Sequence, residues 1–136
     1  MIFLDSSFIV AYYNENDEHH KKALGIMEDL KNGKYGDITI NDYIFNECAT
    51  VLFARLKDLD KAVKICEKIK NIMILRVDED IFEEAWKVFK EQKETKLSFT
   101  DCTIISNMES ENIKNIATFD EDFKKIKEIN VIDSFK

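Results

Sequence analysis

The chain has 136 residues, 45% hydrophobic and 35% charged, which is enough to bury a core without disulfide or metal staples. That balance excludes a disordered tail, a collagen-like fibre and a membrane span. Its 20 basic and 27 acidic residues give a net charge of −7, which excludes a protein held on nucleic acid by bulk positive charge, although a local basic strip stays open.

Cys48, Cys66 and Cys102 are odd in number and form no C-x-x-C pair. They read as small core residues in a reducing cytoplasm. Residues 1–14 are apolar but too short to span a bilayer, and they carry Asp5 with no leading Lys or Arg, unlike a signal peptide. The expected location is therefore cytoplasmic. Proline is absent and glycine occurs three times, so long helices joined by compact turns are expected.

Residues 1–4 are wholly apolar and read as a buried strand. A short helix over 6–13 follows directly. Asp17 is placed to N-cap a second helix over 18–31, with Ala23, Leu24, Met27 and Leu30 on its apolar face and Gly33 ending it. Residues 37–40 read as a second strand. Asn41 or Asp42 caps a third helix to about residue 57, and a fourth covers 60–70. Residues 72–77 form a third strand. Asp78 or Asp80 caps a fifth helix to about residue 93, with Ile81, Ala85, Val88 and Phe89 facing inward. Ser98 caps a sixth helix through 108. A fourth strand over 115–119, a seventh helix over 121–127 and an edge strand over 130–132 complete the chain. The alternation predicts an α/β three-layer sandwich, a parallel sheet of about five strands flanked by helices, in a single domain over 1–136.

Most of the acids are solvated surface, but four read differently. Asp5 follows the first strand and Asp120 the fourth. Each reads either as a helix N-cap or as a ligand at the carboxyl edge of the sheet, where open α/β sheets bind ligands. Asp101 shares a helical face with Ile105 and Met108 at about 100° per residue. A carboxylate on an apolar stripe needs a cation, a proton or several donors, the alternative being an Asp that caps a neighbouring loop. Glu47 borders the apolar face formed by Ile44, Cys48, Val51, Leu52 and Arg55. Four acids gathered on one edge repel one another, and no set of lysines at fixed spacing offsets them. A hard divalent cation, Mg²⁺ or Mn²⁺, does so and suits phosphodiester hydrolysis.

The segments MIFLDSSFIVAYY, INDYIFNECATVL, LSFTDCTIISNM and IATFDEDFKKI together resemble a PIN-domain ribonuclease, in size similar to the VapC toxins of prokaryotic toxin–antitoxin pairs. The resemblance spans nearly the whole chain. It implies an endoribonuclease in which Asp5, Asp101 and Asp120 bind one or two Mg²⁺ or Mn²⁺ ions, directly or through water. Glu47 would be a further ligand or orient the attacking water. Asp122 would assist or replace Asp120, Ser6 stands where the family often has Thr, and Thr118 would bond a carboxylate. Implied partners are the RNA substrate, a small antitoxin protein and a second copy in a homodimer, for which Leu56, Leu59 and Ile65 offer apolar surface beyond what one core needs. A housekeeping RNase in RNA processing and a non-catalytic binding module on the same fold are the alternatives.

Many relatives carry more arginine near the site, whereas this chain has only Arg55 and Arg76. Lys21, Lys22, Lys96 and Arg55 are candidate phosphate contacts or plain surface cations. His19 and His20 read as structural. A receiver-type phosphoacceptor is disfavoured because Ser6, not a second acid, follows Asp5, and a haloacid-dehalogenase-type phosphatase because position 7 is Ser7.

Overall fold

The apolar run at the N-terminus forms strand β1 (Ile2–Leu4), with all three residues buried. Strands β2 (Ile38–Asn41), β3 (Met73–Leu75), β4 (Asn115–Ala117) and β5 (Asn130–Ile132) complete the sheet in a computed structural model that describes residues 1–135. The strand order is β3-β2-β1-β4-β5, and every neighbouring pair is parallel. The chain winds outward from β1 through β2 to β3, then crosses back to place β4 on the other side of β1. The carboxyl ends of β1 and β4 therefore flank the point where the winding reverses, the usual position of a ligand crevice in such sheets.

Six α-helices flank the sheet among the described residues: α1 (Ser6–Tyr13), α2 (His20–Lys31), α3 (Asp42–Leu56), α4 (Leu59–Ile69), α5 (Glu79–Lys90) and α6 (Phe99–Ser110). Their apolar faces meet the sheet through Phe8, Ile26, Ile44, Leu52, Ile104 and Met108, all buried. The helices pack in consecutive pairs, α1 on α2, α3 on α4 and α5 on α6, and α1 also meets α3. Buried Asn41 bridges the helical layers. Its Oδ1 accepts the Ile44 N–H at 2.8 Å and so caps α3, while its Nδ2 donates to Asn107 Oδ1 at 2.9 Å and Thr103 Oγ1 at 3.1 Å on α6.

Several boundaries differ from the sequence reading. Helix α2 starts at His20, because Asp17 accepts the His19 N–H at 2.9 Å in a turn and does not cap the helix itself. Strand β4 stops at Ala117, and the Phe119 N–H goes to Ser7 Oγ at 3.1 Å. The expected seventh helix is a 3₁₀ turn at Glu121–Lys125, closed by the i→i+3 bonds of Phe123 N to Asp120 O and Ile126 N to Phe123 O. Helix α5 ends at Lys90, beyond which the Gln92 side chain bonds the Leu97 N–H and carbonyl. Ile81 and Val88 are half-buried and Ala85 is buried, but Phe89 is exposed. Ile65 belongs to the core and Leu56 packs on it, whereas Leu59 is exposed. Cys48 and Cys102 are buried, and Cys66 is half-buried. No described helix is long and apolar enough to cross a membrane.

Candidate active site

Asp5 leaves the end of β1 in extended conformation and caps α1, accepting the Ser6 N–H at 2.8 Å on Oδ1. Its Oδ2 accepts two hydroxyl protons, from Thr118 Oγ1 at 2.7 Å and Ser7 Oγ at 2.9 Å. Each hydroxyl, having spent its proton on Asp5, accepts a backbone N–H: Asp120 N on Thr118 Oγ1 and Phe119 N on Ser7 Oγ. The two strand ends are thereby laced together around one carboxylate. Asp5 is only 3% exposed. Burial pushes its carboxyl above the ordinary range, the three donors pull the other way, and the Glu47 charge adds to the rise.

Asp101 sits in the first turn of α6. Its Oδ2 accepts the Ser98 N–H at 3.0 Å while its own N–H donates to Ser98 Oγ at 3.1 Å, a reciprocal capping box. This capping is of its own helix and not of a neighbouring loop, the alternative expected from the sequence. It does not satisfy the carboxylate: burial first, and the charges of Asp5 and Asp120 with it, push Asp101 up to about 7 against the pull of Ser98.

Glu47, on the second turn of α3, accepts the Ser6 hydroxyl on Oε1. Beneath it, burial and the charges of Asp5 and Glu47 raise the Cys48 thiol. Asp120 caps the 3₁₀ turn, accepting the Asp122 N–H at 3.0 Å. Asp122 itself pairs with Lys125 at 3.1 Å. The fold therefore sets Asp5, Glu47, Asp101 and Asp120 close enough for their charges to act on one another. Among the described residues, no three acidic, imidazole or thiol groups stand tightly enough together to enclose an ion as placed. Each carboxylate is held by its own donors. The donor set is nonetheless all oxygen and all negative, the chemistry that Mg²⁺ and Mn²⁺ take.

The candidate cations divide. Lys21, Lys22 and Lys96 lie on the exposed surface. Arg55 lines a cavity with Ser6, Ser7 and Glu47. His20 Nδ1 donates to the Ala11 carbonyl at 2.7 Å, and His19 stacks on Phe119. Sequence reasoning passed over Ser7 as a ligand of Asp5 and missed the tie between Ser98 and Asp101. The second was legible as S-x-x-D ahead of an apolar run.

The PIN domain family model matches residues 2–129. The chain belongs to the PIN-domain family. This PIN domain is 29% identical over 126 residues to the 23S rRNA-specific endonuclease VapC20 of Mycobacterium tuberculosis, covering 90% of this chain and 92% of that protein. It is 25% identical over 122 residues to a VapC ribonuclease of Archaeoglobus fulgidus, covering 88% of this chain and 77% of that one. The crystal structure of VapC20 from Mycobacterium tuberculosis, a sarcin-ricin loop cleaving toxin, superposes with a TM-score of 0.79 at 25% identity, over 92% of this chain and 94% of the other.

Proposed function

We propose that this PIN domain is an Mg²⁺- or Mn²⁺-dependent endoribonuclease and the toxin of a toxin–antitoxin pair. The observation that carries the reading is the buried Asp5 and the half-buried Asp101 at the carboxyl edge of the sheet, where the charge of Asp5 raises the Asp101 carboxyl. Ribonuclease and toxin chemistry in full-length relatives supports it. Asp5, Asp101 and Asp120 would hold the ion, with Glu47 and Asp122 completing or assisting the set. When bound, the ion would supply charge neutralisation at the phosphate and a more acidic water. Ser7 and Thr118 fix the Asp5 carboxylate by donating to Oδ2. Ser6 fixes Glu47 through Oε1, leaving Oε2 to take a proton from the attacking water. Without the ion, Asp101, raised to about 7, can hold a proton near neutrality, which binding of the ion would displace.

The proposal includes a cytoplasmic protein acting on RNA, a small antitoxin that inhibits it and a homodimer. Exposed Phe53, Leu59 and Val63 on α3 and α4 support the last. The decisive experiment is RNA cleavage with and without Mg²⁺ or Mn²⁺, comparing the parent with Asp101→Asn. Loss of at least about 100-fold in the variant is expected for a group acting on the reacting centre; equal activity rejects the assignment. Growth arrest on expression, relieved by a co-encoded partner, separates toxin from housekeeping RNase. Absence of Mn²⁺ binding at millimolar concentration favours a non-catalytic module, and a monomeric mass by light scattering removes the homodimer.

A further inference from the structure

Beside the acidic edge lies a cavity of about 350 Å³, walled by α1, the turn ahead of α2, and α3. Its volume is in the range of small-ligand pockets. Ser6, Ser7 and Glu47 form the wall it shares with the candidate active site, and His19 and Arg55 belong to the remainder. The His19 ring lies flat on Phe119, with centroids 4.4 Å apart and planes 10° from parallel, and about a third of the side chain stays open (36% exposed). Arg55 places Nη1 3.6 Å from Asp17 Oδ2 with over half of its side chain open. Asp17 also accepts the His19 backbone N–H at 2.9 Å. Asp17 therefore anchors the backbone at His19 and pairs with the guanidinium, while the imidazole plane is set by Phe119, with Glu18 Oε1 3.4 Å from Nε2.

The charge lining this cavity decides between a phosphate and a base. Asp17, Glu18 and Glu47 all border it against a single arginine, which disfavours a phosphate. A stacking plane, a fork of N–H donors and nearby carboxylate acceptors suit the edge of a nucleobase. Guanine alone offers the O6 and N7 acceptors that arginine takes in pairs, together with N1–H and N2–H donors for a carboxylate. We propose that this cavity is a subsite for one unpaired guanine of the RNA next to the bond that is cut, stacked on His19 with its O6 and N7 edge toward Arg55. The proposal rests on the ribonuclease reading for its substrate, but the guanine site itself is tested without it.

The first test is an amide NMR titration of the parent with GMP, AMP, CMP and UMP. Shifts clustered at His19, Val51 and Arg55, largest for GMP and lost in Arg55→Ala, are expected. No shift at these residues, or equal shifts from all four nucleotides, overturns the subsite. The second test is cleavage of single-stranded oligoribonucleotides carrying one guanine. Arg55→Ala and His19→Ala are expected to raise KM by roughly 5- to 30-fold, more than they lower kcat, as loss of one stacked or paired base implies. His19→Phe, which keeps the stacking plane, restores KM, and an unchanged KM in both alanine variants overturns the proposal. GMP shifts at the cavity in a protein that cleaves no RNA would leave the guanine site standing and remove the ribonuclease reading alone.

Discussion

Thr118 donates its hydroxyl proton to Asp5 Oδ2 at 2.7 Å across a sequence separation of 113 residues, and its Oγ1 in turn accepts the Asp120 N–H. One hydroxyl therefore serves both strand-end acids. Thr118→Val keeps the shape but strands a buried carboxylate contact and a backbone donor. A loss of about 1–3 kcal/mol is expected in denaturant unfolding, with Thr118→Ser recovering most of it. A Val variant as stable as the parent would show that this bond contributes nothing net.

The raised carboxyl of Asp101 gives a pH signature. Its ordinary value is 3.8 and its folded value about 7. Between these limits the folded state keeps a proton that the unfolded chain has lost. Stability therefore falls as pH rises through this window and levels off above it. Asp101→Asn removes that dependence. The stability of the variant relative to the parent is expected to grow between pH 4 and pH 7.5, read from urea midpoints, and Mn²⁺ is expected to narrow the gap at pH 7.5. A difference that stays flat with pH refutes the assignment.

Asn107 holds α6, which carries Asp101, against the start of α3, which carries Glu47. Its Oδ1 accepts the Asn41 Nδ2 proton at 2.9 Å inside the core. Asn107→Leu leaves a buried amide short of a partner, and a cost of about 1–3 kcal/mol is expected. If RNA cleavage depends on the spacing of these helices, activity also drops in conditions where the variant is fully folded. Circular dichroism alongside the cleavage assay separates the two effects.

The three cysteines differ in reach. Burial and neighbouring carboxylates raise all three thiols, Cys102 to about 11, and only exposure separates them, Cys66 being the half-buried one. A colorimetric thiol reagent is expected to titrate Cys66 ahead of the others in the native protein and all three once the chain is unfolded. Rapid native labelling of Cys48 would contradict its placement beneath Asp5 and Glu47.

The layered fold was legible because each strand is short and built on apolar residues and most helices carry a side-chain cap, such as Ser98 or Asp78. The edge was legible through Asp5 and Asp120, since parallel strands send their carboxyl ends the same way. Features that depend on distant partners were not. Asn41 reads as a helix cap, and nothing local reveals that its amide reaches α6. The reading over 121–127 anticipated a helix because the acidic and basic ends suit one, yet Asp120 bonds its neighbour two residues on and tightens the turn. Phe89 was placed inside by its period, but it is exposed, stacked on exposed Trp86 and edge-on to Phe99.

The pairing of Phe3 with Ile116 brings together two halves of the acidic edge that lie far apart in the sequence. Long-range parallel contacts of this kind form late and slowly. A chain still emerging from the ribosome holds β1 with one flank unpaired and Asp5 without Thr118. Whatever chemistry this edge performs thus waits until β4 has joined β1, and a chain cut before residue 115 would lack half of the edge.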